Sequence, residues 1–246
     1  VATQPALVAF PDYPSLSASE QLFAGSEAAC APAIISMTRG PSTDYKFKKG
    51  DILSETFSEP DQVFVILNGA IALYKNRTVT NCQITHLAFR NSVIGLVKPP
   101  HKQDYVALTP TTIRAFPLSS YLSLKTSHPD FSNKLINGLS DELSVSESHD
   151  HSFMVGRLDS LAAVAAFISF MRKKQSMLTE VSADTDIILL ILNRHEIADY
   201  LGLTFETVSR AFSELKKMGI IAFSNSKEIT LLNQHSLKVL HQTIVR

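Results

Sequence analysis

Residues 193–219, NRHEIADYLGLTFETVSRAFSELKKMG, limit the fold more tightly than any other stretch of the chain. They predict two short helices joined by a tight turn. Asn193 is a suitable N-cap, and the Glu196 side chain can reach back to the cap's own N–H to complete a capping box. Ile197, Ala198 and Leu201 form an apolar stripe at helical spacing. Gly202 follows, where a residue tolerant of positive φ ends a helix without a Cβ clash. Thr204 then caps a second helix whose buried stripe is Val208, Phe212 and Leu215. The small Ala198 allows a close helix crossing, so the whole pattern is that of a helix-turn-helix.

Glu206, Ser209 and Arg210 lie at i, i+3 and i+4, on a face away from the Val208–Phe212 stripe. An arginine can donate two hydrogen bonds to guanine O6 and N7, a glutamate can accept from cytosine N4, and a serine serves either base of an A·T pair. The plain alternative is a solvated face with a Glu206–Arg210 ion pair. Behind a complete helix-turn-helix pattern, base reading is the stronger interpretation.

The stretch NRHEIADYLGLTFETVSRAFSELKKMGII resembles the DNA-binding element of the CRP/FNR superfamily of bacterial transcription regulators. Its Glu206-x-x-Ser209-Arg210 pattern is similar to that of the FNR and FixK branches. The resemblance implies that these three residues read a TTGA-type half-site, and that Arg194, Thr204 and Thr207 hold phosphates. The two hydroxyls would lie near a helix N-terminus, which favours anions. Phe205 stands where the cyclic-AMP receptor branch has a second base-reading arginine, which favours the FNR-like code. Lys216, Lys217 and Lys227 read either as backbone phosphate contacts or as plain surface.

The rest of the chain accommodates this reading. At 246 residues and 45% hydrophobic it can bury a real core and is expected to hold two domains. Formal net charge is zero, so bulk charge names no partner; from Arg157 onward 11 basic residues face 9 acidic ones, only a mild bias. No apolar run approaches the ~18 residues a membrane span needs. The start, VATQPALVAF, has no charged or apolar leader region. A cytoplasmic location is the expectation, and Cys30 and Cys82 suit a reducing compartment.

Residues 1–33 read as an irregular lead with a short helix near Ser19–Phe23. From Ile34 to about Pro117 short β segments alternate with turn residues, suggesting a sandwich or small barrel. VFVILNGAIALYK is predicted to be a hairpin around Asn68-Gly69, a pair suited to a type I′ turn. The order FKKGD … VFVILNGAIALYK … SVIGL is similar to the β-roll sensor domain of the same superfamily. Periodicity alone gives only an all-β region.

The resemblance fails where a cyclic nucleotide would bind. Family members that bind one carry a Gly-Glu pair and an Arg-Ser or Arg-Thr pair; here Gly95 precedes Leu96, and the later pair aligns with His101-Lys102. Without the arginine fork a phosphate loses its bidentate partner. A four-thiolate iron–sulfur cluster is excluded by two cysteines. Cys82 and His86, four apart on a strand, would sit roughly 13 Å apart, and His149 and His151 would point to different faces of a helix. No cofactor and no metal are expected. Haem or another small ligand in the β-roll remains the alternative. A β-roll enzyme would need a strand-borne His-x-His set, and none is present, so no catalytic residues are expected.

Residues 129–155 predict one long helix with Phe131, Leu135, Leu139, Leu143 and, after polar interruptions, Phe153 on its apolar side. The superfamily uses this helix as a dimer coiled coil, which implies a homodimer with Leu135, Leu139, Leu143 and Phe153 at the interface; packing onto its own β-roll is the other use of such a stripe. Val155-Gly156-Arg157 reads as a hinge and Asp159 as the cap of the next helix, buried through Leu161, Val164, Ala165, Ile168 and Met171 and ended by the basic MRKKQSM. Ile187–Leu192 is a short strand, Ile220–Phe223 and Glu228–Leu232 a two-stranded wing, and about Gln234–Ile244 a closing helix. The expected architecture is therefore α+β: a β-roll over 1–128, a dimerisation helix and hinge over 129–156, and a winged helix-turn-helix domain over 157–246. Double-stranded DNA, a second copy of the chain and RNA polymerase are the expected partners.

Overall fold

The computed structural model describes residues 41–58, 61–75, 82–94, 103–120, 159–178, 186–225 and 227–242. The expected dimer helix with Leu135, Leu139, Leu143 and Phe153, the hinge, Cys30, Leu96, His101, Lys102, His149 and His151 lie outside these residues.

The N-terminal part is built from seven strands: β1 (Thr43–Phe47), β2 (Gln62–Asn68), β3 (Ala70–Lys75), β4 (Gln83–Phe89), β5 (Val93–Ile94), β6 (Gln103–Ala107) and β7 (Thr111–Pro117). They form two antiparallel sheets, ordered β1-β7-β2-β5 and β4-β3-β6. Phe64, Ile66 and Ile113 of the first sheet meet Ile71, Ala88, Tyr105 and Ala107 of the second in one buried cluster. A bidentate ion pair joins β1 to β7: Arg114 Nε and Nη2 donate to Asp44 Oδ1 and Oδ2 at 2.6 and 2.9 Å.

The expected hairpin is corrected here. Strands β2 and β3 do not pair; β2 bonds to β7 and β5, and β3 to β4 and β6, so Asn68-Gly69 is a corner between sheets. Gly69 sits at φ +96°, and a Cβ there would meet Thr111 Oγ1 at 2.5 Å and the Pro110 carbonyl oxygen at 2.6 Å. The next residue is tied to the same turn, since Ala70 N–H donates to Thr109 Oγ1 at 2.9 Å. Positive φ at an Asn-Gly pair serves a type I′ turn and a corner equally well. Long-range pairing made the choice. It also explains why β3 is apolar on both sides: Ile71 and Leu73 join the sandwich interior, while Ala70, Ala72 and Tyr74 face a helical layer.

That layer belongs to the C-terminal part, which contains α1 (Ser160–Leu178), β8 (Ile187–Leu189), α2 (Arg194–Leu201), α3 (Phe205–Lys217), β9 (Ile221–Phe223), β10 (Glu228–Leu231) and α4 (Gln234–Gln242). Asp159 caps α1 as expected, accepting from the N–H groups of Leu161 and Ala162 at 3.0 and 3.1 Å. Val164, Ala165, Ile168 and Met171 are buried and Leu161 is partly buried, but so are Ala162, Ala163, Ala166 and Phe167, which no single stripe predicts. The basic residues Arg172, Lys173 and Lys174 do not occupy the last turn; the helix continues to Leu178. The wing is three-stranded, ordered β8-β10-β9, because Ile188 pairs with Ile229. Gln175, buried on α1, accepts from Leu189 N–H at 3.1 Å and ties the helix to that added strand.

One continuous apolar cluster joins the two parts. Leu87, Phe89 and Leu108 of the β region share it with Phe167, Ile197, Tyr200 and Phe212. Phe170 bridges Phe89 and Tyr200, its ring centroid 5.9 and 6.3 Å from theirs.

Candidate nucleic-acid interface

The sequence folds locally as its capping residues dictate. Asn193 Oδ1 accepts from the N–H groups of His195 and Glu196 at 2.9 and 3.0 Å, and Asn193 N–H donates to Glu196 Oε2 at 2.7 Å, closing the capping box. Gly202 ends α2 in the left-handed region, at φ 65° and ψ 31°, with its N–H on the Ala198 carbonyl. Thr204 caps α3, accepting from Thr207 N–H at 3.2 Å. Ile197, Ala198 and Leu201 of α2 and Val208, Phe212 and Leu215 of α3 are buried, as the stripes require. Ala211 and Tyr200 are buried as well and belong to the same faces; their spacing from Val208 and Ile197, three residues in each case, was the signal for them.

The rest of α3 is left to solvent. Glu206 and Arg210 are exposed and Ser209 is half-buried beside them, so the structure brings the three expected base-reading residues together. Glu206 lies in the first turn, and hydrogen bonds from its own N–H and the Thr204 hydroxyl hold its carboxyl below the usual range, with His195 and Arg210 adding favourable charge. The group is therefore an ionised acceptor at neutral pH. Arg210 Nη2 lies 3.5 Å from Thr207 Oγ1, and Thr207 Oγ1 lies 3.0 Å from Thr204 Oγ1. The hydroxyls expected at phosphates thus border the reading residues.

Arg194 is placed differently from a simple surface contact. Its guanidinium carbon lies 3.2 Å from the Phe212 ring centroid and 5.3 Å from that of Phe223. Burial lowers its pKa to about 10, and among the described residues its Nη1 is a buried side-chain nitrogen with no hydrogen-bond partner. Stacking on two aromatics fixes the fork between α3 and the wing. Lys216 and Lys217 are exposed in the last turn of α3, where the helix dipole favours cations; Lys216 Nζ stands 5.8 Å from the Phe223 ring. The wing tip is ordered by Asn225 Nδ2 donating to Glu228 Oε2 at 2.6 Å and Lys227 N–H donating to Asn225 Oδ1 at 2.8 Å.

The back of α2 rests on the β region. Asp199 accepts a hydrogen bond from the Cys82 thiol next to β4, and burial, partly offset by that bond and by His195, raises the Asp199 pKa. Burial among Phe167 and Phe170 pushes the Tyr200 hydroxyl up as well. Among the described residues no group of three or more His, Cys, Asp or Glu could hold a metal ion. No described helix is long and apolar enough to cross a membrane.

A capped helix pair with a wing, carrying an acidic, a hydroxyl and a guanidinium group on one exposed helical face, defines a sequence-reading DNA-binding domain. The comparisons agree. Residues 163–240 match the family described as the Crp-like helix-turn-helix domain. The chain is 30% identical over 188 residues to the nitrogen fixation regulation protein FixK of Bradyrhizobium diazoefficiens, covering 75% of this chain and 77% of that one. It is 27% identical over 198 residues to the transcriptional regulatory protein btr of Bordetella pertussis, covering 79% of each. The solved structure of FixK2 from Bradyrhizobium japonicum superposes with a TM-score of 0.66 at 28% identity, covering 82% of this chain and 98% of that one. The chain belongs to the CRP/FNR family of DNA-binding transcription regulators, in its FixK-like branch, and is not an enzyme.

Proposed function

We propose that the chain acts in the cytoplasm as a homodimeric regulator that reads an inverted repeat of TTGA-type half-sites. The exposed face of α3 carries this reading: Glu206, Ser209 and Arg210 stand side by side on a helix whose other face is committed to the core. Arg210 donates to guanine O6 and N7, ionised Glu206 accepts from cytosine N4, and Ser209 meets the neighbouring pair. Thr204, Thr207, Lys216 and Lys217 hold backbone phosphates around them, and the unpartnered Nη1 of Arg194 supplies a further donor. Dimerisation through Leu135, Leu139, Leu143 and Phe153 sets the half-site centres roughly 10 bp apart. RNA polymerase is the protein partner.

Binding needs no small ligand. Leu96 and His101 replace the groups that would hold a ribose and a cyclic phosphate, and an effector without differential contacts shifts no equilibrium. Selection of bound sites from random DNA tests half-site, spacing and symmetry together. The outcome expected is an inverted repeat bound without additive, with cyclic AMP changing the affinity less than about twofold. A half-site lacking guanine and cytosine, or a tenfold tightening by the nucleotide, would overturn the corresponding half of the proposal. Leu139→Asp should give monomers that bind DNA weakly; an unchanged dimer in sedimentation would move the interface elsewhere.

A further inference from the structure

We infer that Phe205, held by His195, is a further specificity-determining residue, whose ring packs against the 5-methyl group of a thymine. Phe205 is the first residue of α3 and is 38% exposed, one of the few large apolar side chains left in solvent. It precedes Glu206 directly and lies one turn from Ser209, at i,i+4, so it borders the reading face on the side nearer the core stripe. Its ring is not loose. The imidazole of His195, in the first turn of α2, stacks on it with centroids 4.3 Å apart and an interplanar angle of 19°. The capping box that fixes the start of α2 also fixes the His195 backbone, whose N–H donates to Asn193 Oδ1 at 2.9 Å.

An exposed aromatic on a helix face costs solubility without contributing to the core, and this one is ordered before any partner arrives. In the major groove thymine offers the only methyl group, and apolar side chains discriminate it there. A ring already immobilised loses little rotamer freedom on contact. The reading adds an apolar element to the polar set of Glu206, Ser209 and Arg210. His195 acts as a positioning residue, since it supports Phe205 from the neighbouring helix. The inference rests on the proposal that α3 reads bases.

The test removes the methyl and nothing else. With the preferred site defined by selection, each thymine of a half-site is replaced in turn by deoxyuridine and binding of the full chain is measured. At one position the wild type should lose about fourfold in affinity per half-site, the factor one buried methyl is worth. Phe205→Ala should be indifferent to that replacement, and Phe205→Leu should keep most of the dependence. His195→Ala should blunt it and His195→Tyr restore it, with the guanine preference assigned to Arg210 unchanged throughout. Tolerance of every deoxyuridine within experimental error, or a methyl dependence that survives in Phe205→Ala, overturns the inference alone. A uniform loss across all sequences in Phe205→Ala would place the ring against the DNA backbone and overturns it too. Absence of any preferred site would instead overturn the underlying reading of α3.

Discussion

Helices α1 and α3 are neighbours in one core, yet they use their surfaces in opposite ways. In α1 seven consecutive residues, Ala162–Ile168, are buried. Seven residues span about two turns, so that stretch has no face to spare: it packs against α3, α4, β8 and β4. In α3 only Val208, Ala211, Phe212 and Leu215 are buried, and the remaining face is polar. One helix is committed to holding the β region, the wing and the reading helix together. The other is anchored along one stripe and keeps the opposite side for a partner. Substitutions in α1 should therefore cost fold, and substitutions on the exposed side of α3 should cost function without fold.

The largest effect tests the first half of that contrast. Phe167→Ala removes a ring packed among the β-region, α1 and α2 side chains and should destabilise the chain by about 3–5 kcal/mol in urea titration. A loss below ~1 kcal/mol would mean that α1 is not the hub. Gly69→Ala comes next, because the added methyl meets Thr111 and Pro110 at a positive φ; about 3 kcal/mol is expected from strain and overpacking together.

On the reading face the expected signs differ. Arg210→Ala should leave stability within about 0.5 kcal/mol while removing about 1–3 kcal/mol of discrimination at the guanine of each half-site. Competition binding with single-base variants measures this, and a uniform loss would move the recognition face. Lys217→Ala, at the far end of the same helix, should weaken all sequences alike and reduce the salt slope by roughly one unit.

The smallest effect lies at the junction of the β region and α2. Burial raises the Asp199 pKa, so the folded state favours the protonated carboxyl more than the unfolded state does. Its ionisation thus disfavours folding, a penalty absent below the unfolded pKa and present in full above the raised folded one. Asp199→Asn should accordingly raise the melting temperature slightly at neutral pH, with the gain shrinking as the pH falls into the carboxylate range. A gain that grew on acidification would contradict the assigned direction.

What could be read from the sequence follows the range of the interactions. The capping box of Asn193 and Glu196, the left-handed Gly202 and the Thr204 cap each act within about four residues, so the helix pair that carries the candidate interface was legible in advance. The stripes of α2 and α3 were legible for the same reason, short of Tyr200 and Ala211. Gly69 shows the opposite case. Its positive φ was foreseeable, but a turn and a corner demand the same local geometry; only the distant partners β7 and β4 decide between them. The all-round burial of α1, the entry of β8 into the wing, the Cys82–Asp199 bond and the stack of His195 on Phe205 likewise depend on which surfaces meet after folding. A sequence pattern records what a residue needs from its near neighbours. Contacts between segments far apart in the chain have no such record, and tertiary packing alone settled them.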